Sequence, residues 1–167
     1  MDVNIKQTDY ANGYGVFAAR EFKPGELVLR ATGVVLGYQT RYSIQIDWNQ
    51  HLDPDPPAKY LNHSCDPNLG VRIGKENLPE FIALRDIQPG EEIAFDYAMS
   101  EYMHYPRPNP EEEFDLTCHC NAENCRGRLG YYSELDEVLK EKNAGYFCDY
   151  LNCNPPPSRH GQTKHVP

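Results

Sequence analysis

A chain of 167 residues has room for one domain with a real hydrophobic core, or one domain and a short appendage. Its 25 Asp and Glu against 16 Lys and Arg leave a net charge of -9, which argues against direct nucleic-acid binding, since that rests on Lys and Arg neutralising phosphates. The acidic balance suits a basic protein or cationic peptide as partner, or simply a surface kept in solution by its charge. Six cysteines are too sparse for a disulfide scaffold. No apolar run is long enough to span a bilayer, and the opening Met1-Asp2-Val3-Asn4-Ile5-Lys6 lacks the apolar core of a signal peptide. A soluble, intracellular protein with reduced thiols is expected, nuclear and cytoplasmic settings being equally open.

Short strands are predicted at Val3–Gln7, Gly15–Ala19, Val28–Leu36, Ser43–Ile46 and Phe81–Leu84, where β-branched and aromatic residues cluster between turn formers. Two phrases share one design: Phe22-Lys23-Pro24-Gly25-Glu26-Leu27-Val28-Leu29 and Ile87-Gln88-Pro89-Gly90-Glu91-Glu92-Ile93-Ala94. In each, Pro presets the first central position of a type II turn, Gly supplies the positive φ at the second, and a strand follows. Gly and Pro interrupt almost every segment up to Tyr97, leaving little room for helix. One helix is predicted from an N-cap at Ser133 to about Asn143, with Leu135, Val138 and Leu139 on one face and Gly145 just past its end. Between Ala98 and Thr117 a loop carries Pro106, Pro108, Pro110 and the run Glu111-Glu112-Glu113, a solvated face or a contact for a basic substrate. The end, from Asn154 through Pro155-Pro156-Pro157 to Pro167 with His160 and His165, has too little apolar content to pack. Cys148 and Cys153 lack the surroundings of a metal site and read as ordinary thiols.

Four motifs carry chemistry. Gly13-Tyr14-Gly15-Val16-Phe17-Ala18 matches the dinucleotide fingerprint in form only, because Pro24-Gly25 would break the helix that fingerprint requires. What survives is a tight turn, or backbone that can approach a ligand closely. Asn62-His63-Ser64-Cys65-Asp66-Pro67-Asn68 has the composition of a polar loop with a thiol at its centre. Phe95-Asp96-Tyr97 ends a strand. Cys118, Cys120 and Cys125 fall within eight residues, as free thiols or as three ligands of a zinc ion whose tetrahedron wants a fourth. Cys65 is the candidate, and a shared metal would pin the later segment over the middle of the chain.

Together these motifs resemble the SET-domain family of protein lysine methyltransferases, in the family's order, over about residues 3 to 132. The resemblance implies a mainly β, β-clip fold of small curved sheets with a pseudoknot at the Asn62 segment, a zinc-bound post-SET segment and a short C-terminal helix. The implied division is a SET domain at 3–97, a connecting loop at 98–113, the post-SET segment at 114–132, a helix at 133–145 and a tail at 146–167, with no pre-SET cluster. It looks like a minimal, stand-alone version of the domain.

By that resemblance, Gly13, Tyr14, Gly15 and Val16 contact S-adenosylmethionine, Asn62 and His63 hold it, and Leu129 packs on its adenine. Cys65, Cys118, Cys120 and Cys125 hold one structural zinc. Tyr97 is the catalytic tyrosine that orients the substrate amine. Tyr42 lies near cofactor and lysine channel, with a cross-strand packing role as its rival. Phe95 falls where the family chooses between Phe and Tyr, and Phe is associated with di- or trimethyl product. The expected activity is S-adenosylmethionine-dependent methylation of a lysine in a basic, histone-like or other protein. The alternative is a SET fold that has lost turnover and serves as a zinc-containing protein-binding module.

Overall fold

The computed structural model describes residues 2–9, 13–102 and 116–153. The acidic run at 111–113 and the segment from Asn154 onward, with His160 and His165, lie outside these residues. Ten strands run β1 Val3–Gln7, β2 Tyr14–Ala18, β3 Leu27–Arg30, β4 Gly33–Leu36, β5 Ile44–Asp47, β6 Gln50–Pro54, β7 Asn62–His63, β8 Leu69–Ile73, β9 Pro79–Ala83 and β10 Glu92–Phe95 among the described residues. The one α-helix described, α1, is Glu137–Lys142. Mainly β architecture is therefore observed. No helix among the described residues is long and apolar enough to cross a membrane.

One sheet has the order β1-β2-β10-β8-β9-β3, with β7 also paired to β10; the other is β4-β6-β5. The two Pro-Gly phrases form the turns their residues dictate. Gly25 and Gly90 have φ of 83° and 86°, and Glu26 N donates to Lys23 O as Glu91 N donates to Gln88 O, both at 3.0 Å. The phrases also meet: Phe22 and Ile87 exchange two backbone hydrogen bonds of 3.0 Å, and both side chains are fully buried. Around them Val16, Leu69, Val71, Phe81, Ile93 and Phe95 form the apolar core, and such burial stabilises by about 1.5–3 kcal/mol for each large side chain.

The predicted strand Val28–Leu36 is two strands. Its first half pairs with β9 and its second with β6, so the chain passes from one sheet to the other at Ala31-Thr32. Gly33 permits the exchange, since a Cβ there would collide with the carbonyl of Asp53. β6, β7 and β8 were not expected. The Asp53-Pro54-Asp55 string masks β6 as turn, and Gly70 interrupts β8.

The predicted helix is shorter than its pattern. Tyr132–Glu134 form a 3-10 turn, and the helix cap is Asp136, whose carboxylate accepts from Leu139 N at 2.8 Å, rather than Ser133. Val138 is 74% exposed, so only Leu135 and Leu139 face inward. Leu135 and Asp136 are extended, with ψ of 139° and 161°, so the helix starts only after them and Asp136 caps it.

Of residues 146–153, expected as part of the tail, 146–151 are packed, while Asn152 and Cys153 are exposed. Phe147, Cys148, Tyr150 and Leu151 are buried in the core. Val71 N donates to Tyr146 O at 3.1 Å and Cys148 N to Met99 O at 2.9 Å, while the Tyr146 ring occupies the space that a side chain at Gly70 would need. Four apolar residues in five outweigh the flanking polar ones.

Candidate active site

The site is assembled where β10 ends. β10 runs parallel to β7, with Ala94 opposite Asn62 and Phe95 opposite His63, and antiparallel to β2, which follows the Gly13 turn. Three segments far apart in sequence thus meet at one strand. Asn62, 1% exposed, donates from Nδ2 to Tyr14 O at 3.0 Å and to Glu92 Oε1 at 2.8 Å. Its Oδ1 is buried with no hydrogen-bond partner among the described residues, an acceptor waiting for a donor. Gly15 forms the adjoining wall: a Cβ there would lie 2.5 Å from Glu92 Oε1, 3.0 Å from Thr8 Cγ2 and 3.2 Å from Asn62 Nδ2. Gly13, at φ 74°, turns the chain into this wall. Tyr14 is half exposed and packs on Tyr60, ring centroids 5.2 Å apart, while Val16 is wholly buried. Backbone, an orphaned acceptor and an aromatic face are what a small polar cofactor with an amino-acid moiety requires, and these residues fit S-adenosylmethionine.

Tyr97 opens a 3-10 turn, Tyr97–Met99, capped by Asp96, whose carboxylate accepts from Ala98 N at 3.1 Å. Its phenol donates to Leu61 O at 3.1 Å, and its ring lies 5.0 Å from Phe95 and 5.2 Å from His63. Burial, with the charges of Glu101, Cys118 and Glu92, pushes the phenol well above its ordinary value, so it stays protonated. Phe95 is 3% exposed and also contacts Phe81, centroids 5.0 Å apart.

His63 links this site to the thiols. Its Nδ1 accepts from Tyr97 N at 3.2 Å, which leaves the ring proton on Nε2, 3.2 Å from Cys65 Sγ. Burial brings the imidazole down to about 4, Asp96 opposing and Arg126 adding to the shift. The Sγ atoms of Cys65 and Cys118 are 3.8 Å apart. Thiolates about 2.3 Å from a tetrahedral zinc ion lie about 3.8 Å from one another, so the spacing fits. Cys65 N lies 3.4 Å from Cys120 Sγ, and Cys125 interacts with both Cys118 and Cys120. His63, Cys65, Cys118 and Cys120 have ligand atoms within 4.8 Å of one another. Two donor sets therefore arise, four sulfurs or three and an imidazole. The Nε2 proton favours the four sulfurs, with His63 donating to Cys65.

Amides support these sulfurs. Arg126 N donates to Cys65 Sγ and Gly127 N to Cys125 Sγ, both at 3.4 Å. Burial raises the Cys65 and Cys118 thiols. Burial also opposes ionisation of Cys120, but the Cys65 and Ala122 amides and the neighbouring thiols outweigh it and bring Cys120 to about 7.

Two further expected site residues, Tyr42 and Leu129, have contacts of their own. Tyr42 lies under cations, with Lys59 Nζ 5.0 Å and the Arg41 guanidinium 5.9 Å from its ring. Leu129 is half-buried and donates from its amide to Leu116 O at 2.7 Å. Conversely, Asp96, Arg126, Glu92 and Glu101 were not singled out. Arg126 bonds Asp96 through two contacts of 2.7 Å, and its place directly after Cys125 was the only signal.

Residues 13–98, just over half of the chain, match the SET domain family. Relatives include the histone-lysine N-methyltransferase Set2 of Drosophila melanogaster, 31% identical over 146 residues that cover 75% of this chain and 6% of that protein. An H3 lysine-36 specific histone-lysine N-methyltransferase of Mycosarcoma maydis is 28% identical, covering 81% of this chain and 15% of its own. Among solved structures, KRYPTONITE in complex with mCHH DNA, H3(1-15) peptide and SAH has a TM-score of 0.61 at 25% identity, over 77% of this chain and 29% of that one. The chain thus spans only a fraction, 6% to 24%, of such curated relatives. The shared region holds the Gly13 turn, the Asn62 strand and Tyr97, and the chain belongs to the SET-domain family.

Proposed function

We propose that this chain is an S-adenosylmethionine-dependent protein-lysine N-methyltransferase acting on a histone or a similarly basic protein. The observation that carries the reading is the meeting of Gly15, the orphaned Asn62 Oδ1 and the Tyr97 phenol at one strand end. S-adenosylmethionine supplies a methyl group on a sulfonium. Tyr14 to Val16 would hold it through backbone, Asn62 and His63 through polar contacts, and Leu129 and Tyr42 from the flanks. Cys65, Cys118, Cys120 and Cys125 would hold one zinc that ties the post-SET segment to the Asn62 loop.

A free lysine amine, with a pKa of about 10.4, is mostly protonated at neutral pH. Burial around Tyr97 disfavours that charge. The protonated phenol offers its oxygen to the amine and orients the lone pair, and geometry of this kind dominates the barrier of an in-line displacement. Phe95 presents no hydroxyl to hold a water beside the amine, which supports a second and third methyl. The H3 peptide bound in the KRYPTONITE complex and the histone-methylating relatives support a histone substrate and a nuclear setting. That same complex holds DNA, so the expectation of no direct nucleic-acid contact rests on the net charge of -9 alone.

Labelled methyl transfer to core histones tests the role of Tyr97. Tyr97→Phe is expected to bind S-adenosylmethionine within about twofold of wild type and to transfer methyl about a hundredfold more slowly, a typical loss for a positioned polar group. Equal rates for the two proteins refute the assignment.

A further inference from the structure

Arg126 belongs to the thiol segment, yet its side chain leaves that segment. Its two terminal nitrogens donate to the two carboxylate oxygens of Asp96, each at 2.7 Å, in the parallel fork that a guanidinium alone can make. Its backbone amide meanwhile donates to Cys65 Sγ at 3.4 Å. Arg126 Nε is buried with no partner among the described residues, so the fork holds the side chain. Asp96 is 5% exposed, and the oxygen that receives one arm of the fork also accepts from Ala98 N at 3.1 Å, the cap of the turn that carries Tyr97. Asp96 Oδ1 further lies 3.6 Å from His63 Nδ1, the atom that accepts the Tyr97 amide.

We propose that Arg126 is a positioning residue that orders the Tyr97–Met99 turn through Asp96, so that closure of the cysteine segment is mechanically coupled to the orientation of the Tyr97 phenol. The proposal deepens the methyltransferase reading and rests on it for its effect on rate. A fixed Asp96 carboxylate keeps the Ala98 amide bonded and the φ and ψ of Tyr97 set. With the fork gone, Asp96 is free to rotate, the cap loosens, and the phenol samples directions in which its oxygen no longer meets the amine. Of the cofactor contacts, those of Asn62 and the Gly13 turn involve neither partner of the fork and are left in place, while His63 and Leu129 adjoin it. A lysine at 126 keeps the charge but loses one arm and the planar geometry, which makes Arg126→Lys the informative variant.

The test has two readouts on the full chain, with one zinc per chain verified by metal analysis. The first is amide hydrogen exchange, which needs no turnover. In Arg126→Lys and in Asp96→Asn the amides of Ala98, Met99 and Ser100 are expected to exchange about tenfold faster than in wild type, the equivalent of one charge-assisted hydrogen bond. The reciprocally bonded amides of Phe22 and Ile87 should be unchanged. The second is kinetic: kcat falls about tenfold with KM for S-adenosylmethionine within about twofold, and the double variant is no slower than either single one. Unchanged exchange in the turn overturns the coupling, and so does faster exchange throughout the sheet. Faster exchange with unaltered kcat overturns the positioning role. Should Arg126→Lys lose zinc, Asp96→Asn, which alters no cysteine neighbour in sequence, decides between these results. A wild-type protein that makes no methyl product removes the functional reading and the rate effect together, while exchange in the turn still decides whether Arg126 orders it.

Discussion

Glu101 is 7% exposed, and its carboxylate accepts from Gln45 N at 2.7 Å, Gln39 Nε2 at 2.9 Å and Ser100 Oγ at 3.3 Å. The ionisable groups that feel it, Tyr97 and Cys148, are both held in the neutral form. Burial therefore prevails over three hydrogen bonds and raises Glu101 from 4.5 to about 7. Below pH 4.5 the carboxyl is protonated in folded and unfolded chains alike. As pH rises toward 7 the unfolded chain loses its proton first, so the stability contributed by this group falls across that window. Glu101→Gln removes the slope, and Gln39 can accommodate it, because its Oε1 is buried without a partner among the described residues and an amide flip turns that acceptor toward the new donor. Chemical denaturation should find the variant more stable than wild type by up to about 3 kcal/mol at pH 8 and little different at pH 4.5. A gain that is equal at both pH values refutes the account of Glu101. The site residues that the sequence displayed, Asn62, His63, Cys65 and Tyr97, lie in contiguous strings whose order could be read directly. Asp96 and Arg126 are thirty residues apart, and nothing local in either string says that they pair.

At the scale of elements, the turns were legible because Pro and Gly act locally. The Pro24-Gly25 and Pro89-Gly90 phrases contain their own reason to turn, and their hydrogen bonds follow. The division of Val28–Leu36 between two sheets was not legible, since the cause is the Asp53 carbonyl across from Gly33. The C-terminal packing was hidden for a similar reason: the space that receives Tyr146 exists only because Gly70 has no side chain, a match between residues of distant segments. This element is a structural plug against β8 and the Tyr97–Met99 turn. Phe147→Ala should cost about 3–5 kcal/mol and lower the thermal midpoint by roughly 6–20 °C at 2–4 °C per kcal/mol. A shift within the error of the scan would mean that residues 146–151 do not hold the fold together.

At the scale of the whole molecule, two layers of stability are expected. The apolar core around Phe22, Phe81 and Ile87 needs no metal. The 116–131 segment has few buried apolar side chains, Tyr131 among them, and depends on the cysteines and on Arg126. Such small lobes draw their folding free energy from metal binding. Metal analysis should return one zinc per chain, and Cys65→Ser should lose it, with unfolding split into an early loss of the post-SET segment and a later loss of the sheets. Full zinc in Cys65→Ser would mean that His63 and the remaining cysteines suffice, and that the four-sulfur assignment is wrong.

The account as a whole rests on the chain moving a methyl group from sulfonium to lysine nitrogen. Mass spectrometry of histone H3, after incubation with S-adenosylmethionine and the zinc-loaded protein, measures that directly. The account predicts methylated lysine side chains in step with S-adenosylhomocysteine formed, reaching the di- or trimethyl state with Phe95 in place. Bound cofactor with neither product formed on any histone or basic protein offered would contradict it, and would leave a SET fold that binds without turning over.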